Sequence, residues 1–163
     1  MLEIRRATED DVPLIHSFIT QLAEFERLSG ELVVSEQLLR QNLFGPRLFA
    51  EVLLAHWSGE PAGFALFFHN FSTFVGKPGI YLEDLFVREH LRGRGIGRAL
   101  LQRLARLAME RDCARLEWSV LDWNEGAIRF YRRLGAVPKH EWTVFRLTGE
   151  ELAKFGAAAA VAE

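Results

Sequence analysis

The stretch Ile80-Tyr81-Leu82-Glu83-Asp84-Leu85-Phe86-Val87, followed by Arg88-Glu89-His90-Leu91 and then Arg92-Gly93-Arg94-Gly95-Ile96-Gly97, decides the fold. Its first eight residues are mostly apolar and rich in β-branched and aromatic side chains, which suits a buried strand better than a helix of that length. From Gly97 to Arg111 the apolar residues fall at Leu100, Leu101, Leu104, Leu107 and Ala108, while Gln102, Arg103, Arg106 and Glu110 take the other face, a helical stripe. The order is therefore strand, glycine loop, helix. Three glycines in five residues remove the Cβ atoms that would stop the backbone from closing around a charged group. The unpaired N–H groups of the helix's first turn point into that loop with the positive end of the helix dipole behind them, so a phosphate is the expected occupant.

Tight strand-to-helix packing is the other use of such glycines, and two phosphate-binding patterns do not fit. Gly97 is followed by Arg98-Ala99 rather than the Lys-Ser/Thr pair of a P-loop, and the glycine spacing is not that of a dinucleotide fingerprint. Arg92-x-x-Gly95-x-Gly97 after a strand resembles the pyrophosphate-binding signature of the GCN5-related N-acetyltransferases (GNAT). The resemblance extends through almost the whole chain and is nearest to the diamine (spermidine/spermine-type) branch. It implies acetyl-coenzyme A as cosubstrate, held by Arg92, Gly93, Arg94, Gly95, Ile96, Gly97 and Arg98 at the pyrophosphate. It also implies that the backbone of Leu85, Phe86 and Val87 pairs with the pantetheine arm. The backbone N–H of Val87, at a strand end where the family carries a bulge, is the implied oxyanion donor.

Composition bounds the rest. At 163 residues, 49% hydrophobic and 26% charged, the chain is expected to form one domain over 1–155 with a tail over 156–163. No apolar run approaches the roughly 18 residues of a membrane span, and Met1-Leu2-Glu3-Ile4-Arg5-Arg6 has no apolar leader region. The lone Cys113 excludes an internal disulfide and makes a reducing cytoplasm the default. A net charge of −2 gives nucleic-acid binding no support, so the arginines from Arg88 to Arg111 read as local phosphate attraction. The five histidines lack metal-ligand spacing, and no metal is expected.

Taken in order, residues 2–6 alternate apolar and charged as a strand, and Thr8 with Asp11 reads as a capping box for a helix striped by Leu14, Ile15, Phe18, Leu22 and Phe25. Ser35 caps a second helix that Gly45-Pro46 ends. Leu48–Trp57 and Ala62–Asn70, joined by Ser58-Gly59-Glu60-Pro61, read as an antiparallel hairpin. Residues 71–79 read as a loop whose Phe71 and Phe74 wall a channel or cover the hairpin. After the central unit come a strand over 114–121, a helix opened by Asp122-Trp123-Asn124-Glu125 and stopped by Gly135, a last strand over 136–147, and a short helix capped by Thr148. The order β-α-α-β-β-β-α-β-α-β is that of an α/β (α+β) acyltransferase fold, a mixed, mostly antiparallel sheet with helices on both faces.

Acetyl transfer to an amine needs a held thioester, a donor for its carbonyl oxygen, an amine made neutral and a proton for the departing sulfur. Glu83 and Asp84 are adjacent in an apolar strand, so strict alternation sends them to opposite faces, and at least one must reach a solvated cleft unless the two serve a structural ion pair. The resemblance implies Glu83 as the base, through water, with Asp84 serving substrate charge or structure. At the acidic end of the first helix, Phe25-Glu26 matches the family's aromatic-Glu pair for the polyamine, against the plainer reading of a solvated helix end. Asn124-x-x-Ala127-x-x-x-Tyr131 resembles the segment in which Asn contacts pantetheine and Tyr is the general acid, although a lone helical Tyr more often packs in a core. Glu117, Trp118 and Glu141 are further amine-pocket candidates. Cys113 has no histidine near it in sequence and is set aside as a nucleophile.

These readings converge on an acetyl-coenzyme A dependent N-acetyltransferase acting on a small cationic primary amine, a di- or polyamine or a basic amino acid derivative, by direct attack in a ternary complex. The alternatives are acetylation of a protein lysine or N-terminus, and a non-catalytic acyl-coenzyme A sensing domain. The resemblance further implies a homodimer, with neither nucleic acid nor membrane as partner.

Overall fold

A computed structural model describes residues 1–157. The elements in chain order are β1 (Leu2–Arg6), α1 (Val12–Phe25), α2 (Glu36–Phe44), β2 (Glu51–Trp57), β3 (Glu60–Ser72), β4 (Lys77–Val87), α3 (Ile96–Glu110), β5 (Leu116–Trp118), α4 (Glu125–Arg133) and α5 (Gly149–Ala157), with single 3-10 turns at Glu9–Asp11, Ser29–Glu31 and Glu89–Leu91. They form two compact units, one through Ser119 and one from Val120 onward.

In the first unit the strands lie in the order β1-β2-β3-β4-β5, antiparallel except for the parallel pair β4–β5. One face carries α1 and α2: Val12, Ile15, Phe18, Leu39 and Leu43 pack on Val52, Leu54, Phe64 and Phe86. Phe18 stacks on Phe64 at 5.6 Å between centroids and meets Phe86 at 6.0 Å. Burying each such side chain stabilises by about 1.5–3 kcal/mol, more than the ~1 kcal/mol of a good cap, and Asp11 makes no side-chain cap bond to α1. Packing therefore holds α1 in place. Asp11 instead accepts two hydrogen bonds of 2.7 Å from Arg5 and one of 2.7 Å from the Thr8 N–H, which hold its carboxyl well below the usual range. The opposite face carries α3, whose Leu100, Leu101, Leu104, Leu107 and Ala108 are buried as the stripe predicts.

Three sequence expectations require correction. Residues 71–79 are not a loop, because β3 and β4 pair out to Ser72 and Lys77 and leave only 73–76 as a turn. Phe71 and Phe74 sit exposed there, at the end of β4 opposite Val87, and do not cover the hairpin. The strand read over 114–121 shrinks to Leu116–Trp118. The last strand, over 136–147, is not formed; Trp142, Val144 and Phe145 are exposed, and an alternating pattern becomes a strand only where a neighbouring edge pairs with it. The final elements are thus helix and helix, and the proposed tail overlaps α5 up to Ala157, its remainder lying outside the described residues.

Candidate active site

The site begins with a break in the β3–β4 register. Leu66 opposes Asp84 and Phe67 opposes Leu82, so Glu83 is the extra residue of a β-bulge. The bulge lies here rather than at Val87, which pairs with Gly63 in regular register. Its effect is to exchange the faces of β4. Before it, Leu82 lies beside Phe67, which meets Arg111 just beyond the C-terminal end of α3. After it, Phe86 packs with α1 and Val87 turns to α3, its Cγ2 lying 3.8 Å from where a Cβ on Gly97 would stand. Asp84, two residues before Phe86, consequently shares the α1 face. Without the bulge Asp84 would follow Leu82 to the other side.

The same stretch has an open edge. β5 pairs only with Ile80, Tyr81 and Leu82, so beyond Glu83 the second edge of β4 has no strand beside it among the described residues. The Arg88 N–H is committed to the Ala62 carbonyl on β3. Alternation in an antiparallel ladder then directs the N–H and C=O of Leu85 and Val87 toward the open edge. Gly63, absent from the sequence-derived candidates, permits the close approach on the paired edge, because a Cβ there would collide with the Phe86 carbonyl. A glycine inside an apolar strand is the signal that points to it.

Helix α1 delivers the amine-side candidates. It ends in a Schellman motif in which the Leu28 N–H donates to the Ala23 carbonyl and the Arg27 N–H to the Glu24 carbonyl, with Arg27 left-handed at φ 61°. This stop fixes Phe25 and Glu26 at the helix end. Burial raises the Glu26 carboxyl above its ordinary value. Asp84 is pushed up to about 7, first by burial and then by the charges of Glu83 and Glu26, which places these three carboxylates in one electrostatic neighbourhood. Glu83 itself is exposed on the bulge.

Following β4, Gly93 and Gly95 are left-handed at φ 77° and 80°, and a Cβ on either would meet nothing within 4 Å. The space such side chains would fill lies open beside the start of α3, as a diphosphate cradle requires. Arg92 Nε donates to the Val87 carbonyl at 2.9 Å, and its guanidinium lies 4.4 Å from the Phe25 ring centroid. Arg94 lies over Trp57 at 5.6 Å.

Other candidates are engaged differently. Glu117 accepts from Arg115 at 2.7 Å and from Asn70 at 3.1 Å, and Trp118 pairs with Leu82. In the second unit, Asn124 caps α4 by accepting from the Ala127 N–H at 3.2 Å, Tyr131 lies 5.4 Å from Phe130, and Gly135 closes the helix at φ 92°. Glu141 is exposed and pairs with Lys139 at 2.7 Å, which lowers its pKa. Among the described residues no three His, Cys, Asp or Glu side chains are grouped to hold a metal ion, and no helix is long and apolar enough to cross a membrane.

Comparison with known proteins adds three kinds of likeness. Residues 17–136 match the model of the acetyltransferase (GNAT) family. A thialysine N-epsilon-acetyltransferase of Bos taurus is 39% identical, with 91% of this chain and 94% of that protein covered. An L-ornithine N5-acetyltransferase of Arabidopsis thaliana is 36% identical over 91% of this chain and 85% of its own length. An integron cassette protein from the mobile metagenome of V. cholerae superposes with a TM-score of 0.81 at 29% identity, covering 96% and 98% of the two chains.

Proposed function

Since the chain belongs to the GNAT acetyltransferase family, within its diamine branch, we propose that it is an acetyl-coenzyme A dependent N-acetyltransferase acting on small amines that carry more than one positive charge. The observation that carries the substrate class is the grouping of Glu26, Glu83 and Asp84 beside the open edge of β4. Three carboxylates in a partly buried site repel one another until cations neutralise them, so binding favours a di- or polyamine or a basic amino acid derivative over a neutral amine. The thialysine and ornithine specificities in the names of two relatives support that chemistry.

Acetyl-coenzyme A, the family's cosubstrate, supplies the acetyl group as an activated thioester. Arg92, Gly93, Arg94, Gly95, Ile96, Gly97 and Arg98 hold its diphosphate with backbone N–H groups, the helix dipole and arginine charge. Leu85, Phe86 and Val87 offer the strand edge for its pantetheine arm, and the Val87 N–H, on that open edge, serves as donor to the acyl oxygen. Asn124 and Ala127 complete the cosubstrate contacts.

An ammonium of pKa about 10.4 must lose a proton before its nitrogen can attack. Glu83 and Asp84 share this work: Asp84, with its pKa about 7, is matched to accept a proton near neutral pH, and Glu83, exposed on the bulge, passes it to water. Tyr131 Oη gives the departing sulfur its proton. The amine side is assigned to Phe25, Glu26, Glu117 and Trp118. The enzyme works in the cytoplasm as a single-domain protomer of a homodimer; support for the dimer is the exposed apolar run Trp142, Val144, Phe145 and Leu147.

The test is release of free thiol from acetyl-coenzyme A across amines of graded length and charge. Dicationic amines should exceed monocationic amines of equal length in kcat/KM, with the advantage shrinking as salt rises. Equal rates for neutral and dicationic amines defeat the substrate class, and absence of thiol release with every amine defeats the activity.

A further inference from the structure

Asn70 lies on β3 opposite Gly79, yet its side chain does not stay on its own strand. Its Nδ2 donates to Glu117 Oε1 at 3.1 Å, and Glu117 belongs to β5, on the far side of β4. Neighbouring strands stand about 4.8 Å apart, so this contact bridges roughly 10 Å of sheet across β4. Gly79 is what lets the amide cross. A Cβ there would collide with Asn70 Oδ1 and would stand 3.2 Å from Arg115 Cγ. Gly79 is not one of the left-handed glycines, so the need is for space rather than for conformational freedom. Asn70 Oδ1 is buried and accepts no hydrogen bond among the described residues, a cost that packing alone gives no reason to keep. Turned over, the amide would aim that oxygen at a carboxylate, so Glu117 sets its orientation.

The result is a carboxylate with one oxygen held and the other presented. Oε1 takes the Asn70 bond and a 2.7 Å ion pair from Arg115 Nε, while Oε2 has no partner among the described residues and the side chain keeps 39% of its surface exposed. Glu117 opposes Tyr81, Tyr81 opposes Phe68, and Phe68 lies two residues from Leu66, which opposes Asp84; these residues share one face of the sheet. Leu66 packs against the α1 cluster, so it is the face that α1 covers in part. Asp84 follows Tyr81 by three positions with the bulge between them, which puts the backbones of Asp84 and Glu117 roughly 8–11 Å apart. Arg115 already balances the charge of Glu117, so Oε2 acts as a directed acceptor, and its use depends on where it points.

We propose that Asn70 is a positioning residue: laid across Gly79, it aims Glu117 Oε2 at the second cation of a substrate whose reacting amine stands at Asp84. This rests on the amine acetyltransferase reading above and adds to it a place for the distal cation.

Asn70→Ala, Glu117→Ala and the pair test this against an α,ω-diamine and the monoamine of equal length. The ratio of the two amines is read in kcat/KM and, independently of turnover, in calorimetric binding with coenzyme A present. In Asn70→Ala the diamine's advantage should fall about 3- to 10-fold, through KM more than through kcat. Glu117→Ala should reduce it at least as far, and Asn70→Ala added to Glu117→Ala should reduce it no further, because Asn70 acts on the cation only through Glu117. Reading a ratio cancels what each variant does to packing or to the cosubstrate. An undiminished ratio in Asn70→Ala, whatever its melting temperature, makes Asn70 a packing residue and overturns the proposal. A further fall in the pair overturns it too, as does a wild type that binds diamine and monoamine equally. A wild type that releases no thiol from acetyl-coenzyme A, yet binds the diamine with a preference that Asn70→Ala and Glu117→Ala both reduce, defeats the activity reading alone and upholds the role of Asn70.

Discussion

The two halves of β4 are built from similar residues and do different things. Residues Lys77–Leu82 keep β3 and, over Ile80–Leu82, are paired on the second edge by β5; residues Glu83–Val87 keep β3 but have no strand on the second edge among the described residues. In the first half Tyr81 is satisfied inside the sheet, its hydroxyl 2.8 Å from Ser119 Oγ and its ring 5.3 Å from Phe68. In the second half Glu83 and Asp84 sit at a bulge, and half-buried Asp84 has no basic partner among the described residues. A closed sheet satisfies its polar groups locally; an interrupted one leaves backbone donors and a raised carboxyl available to a ligand. The chemistry proposed for this chain belongs to the interrupted half.

The largest expected effect comes from the proton donor proposed for the sulfur. If proton delivery to the sulfur comes from Tyr131, then Tyr131→Phe should lower kcat by roughly 10²–10⁴ with little change in melting temperature or acetyl-coenzyme A affinity. Asn124 keeps its cap on α4 in that variant, so the helix itself is undisturbed. A kcat near wild type accompanied by a shifted melting temperature would make Tyr131 a packing residue.

Much of the frame is legible in the sequence, and the places where it is not have physical causes. The glycine loop, the stripe of α3 and the stop at Gly135 are local signals, and they appear as read. The bulge is hidden because Ile80, Leu82 and Phe86 keep an unbroken even spacing, although Phe86 faces α1 and Leu82 does not share that cluster. Alternation counts residues and cannot register one that is skipped. Helix ends show the same limit: α1, α3 and α4 all close with the same pair of backbone bonds, but the left-handed residue is Arg27, Asp112 and Gly135 in turn, and only glycine announces itself. The apolar alternation over 136–147 depends on an edge to pair with, which no local pattern specifies.

Asp84 sharpens the contrast through pH. Its pKa of about 7 lies above the ordinary 3.8, so the folded chain holds the proton more tightly than the unfolded chain. The stabilisation from that proton is complete below about pH 4 and is lost as pH rises through about 7, where a buried charge must form. Asp84→Asn should therefore lower kcat/KM by about 10². It should also raise the unfolding free energy at pH 8 by on the order of 2–4 kcal/mol, with no gain near pH 4. Urea titrations at the two pH values measure this directly. A variant less stable than wild type at pH 8 would mean that Asp84 has an ionic partner and that the open half is not strained. Glu83→Gln, at an exposed position, should leave stability unchanged near pH 4, raise it at pH 8 by less than Asp84→Asn does because one charge facing Asp84 is gone, and slow turnover most at low pH.

The smallest expected effect tests whether the end of α1 is held by its own backbone or by its contacts. Arg27 sits at φ 61° in a motif that favours glycine, and a residue with a Cβ pays about 1 kcal/mol there. Glycine relieves that strain but makes the unfolded chain more flexible, which returns several tenths of a kcal/mol. The backbone alone thus gives Arg27→Gly a gain of only about 0.3–0.8 kcal/mol, reduced by whatever the Arg27 side chain's own interaction contributes, and the urea midpoint at constant slope measures the balance. The two motif bonds, Leu28 N–H to Ala23 O at 2.8 Å and Arg27 N–H to Glu24 O at 3.1 Å, survive the change, so Phe25 and Glu26 keep their places. Amine KM should therefore be unaltered. A rise in KM with unchanged stability would show instead that the Arg27 side chain, and not the turn it occupies, holds the amine side of the site.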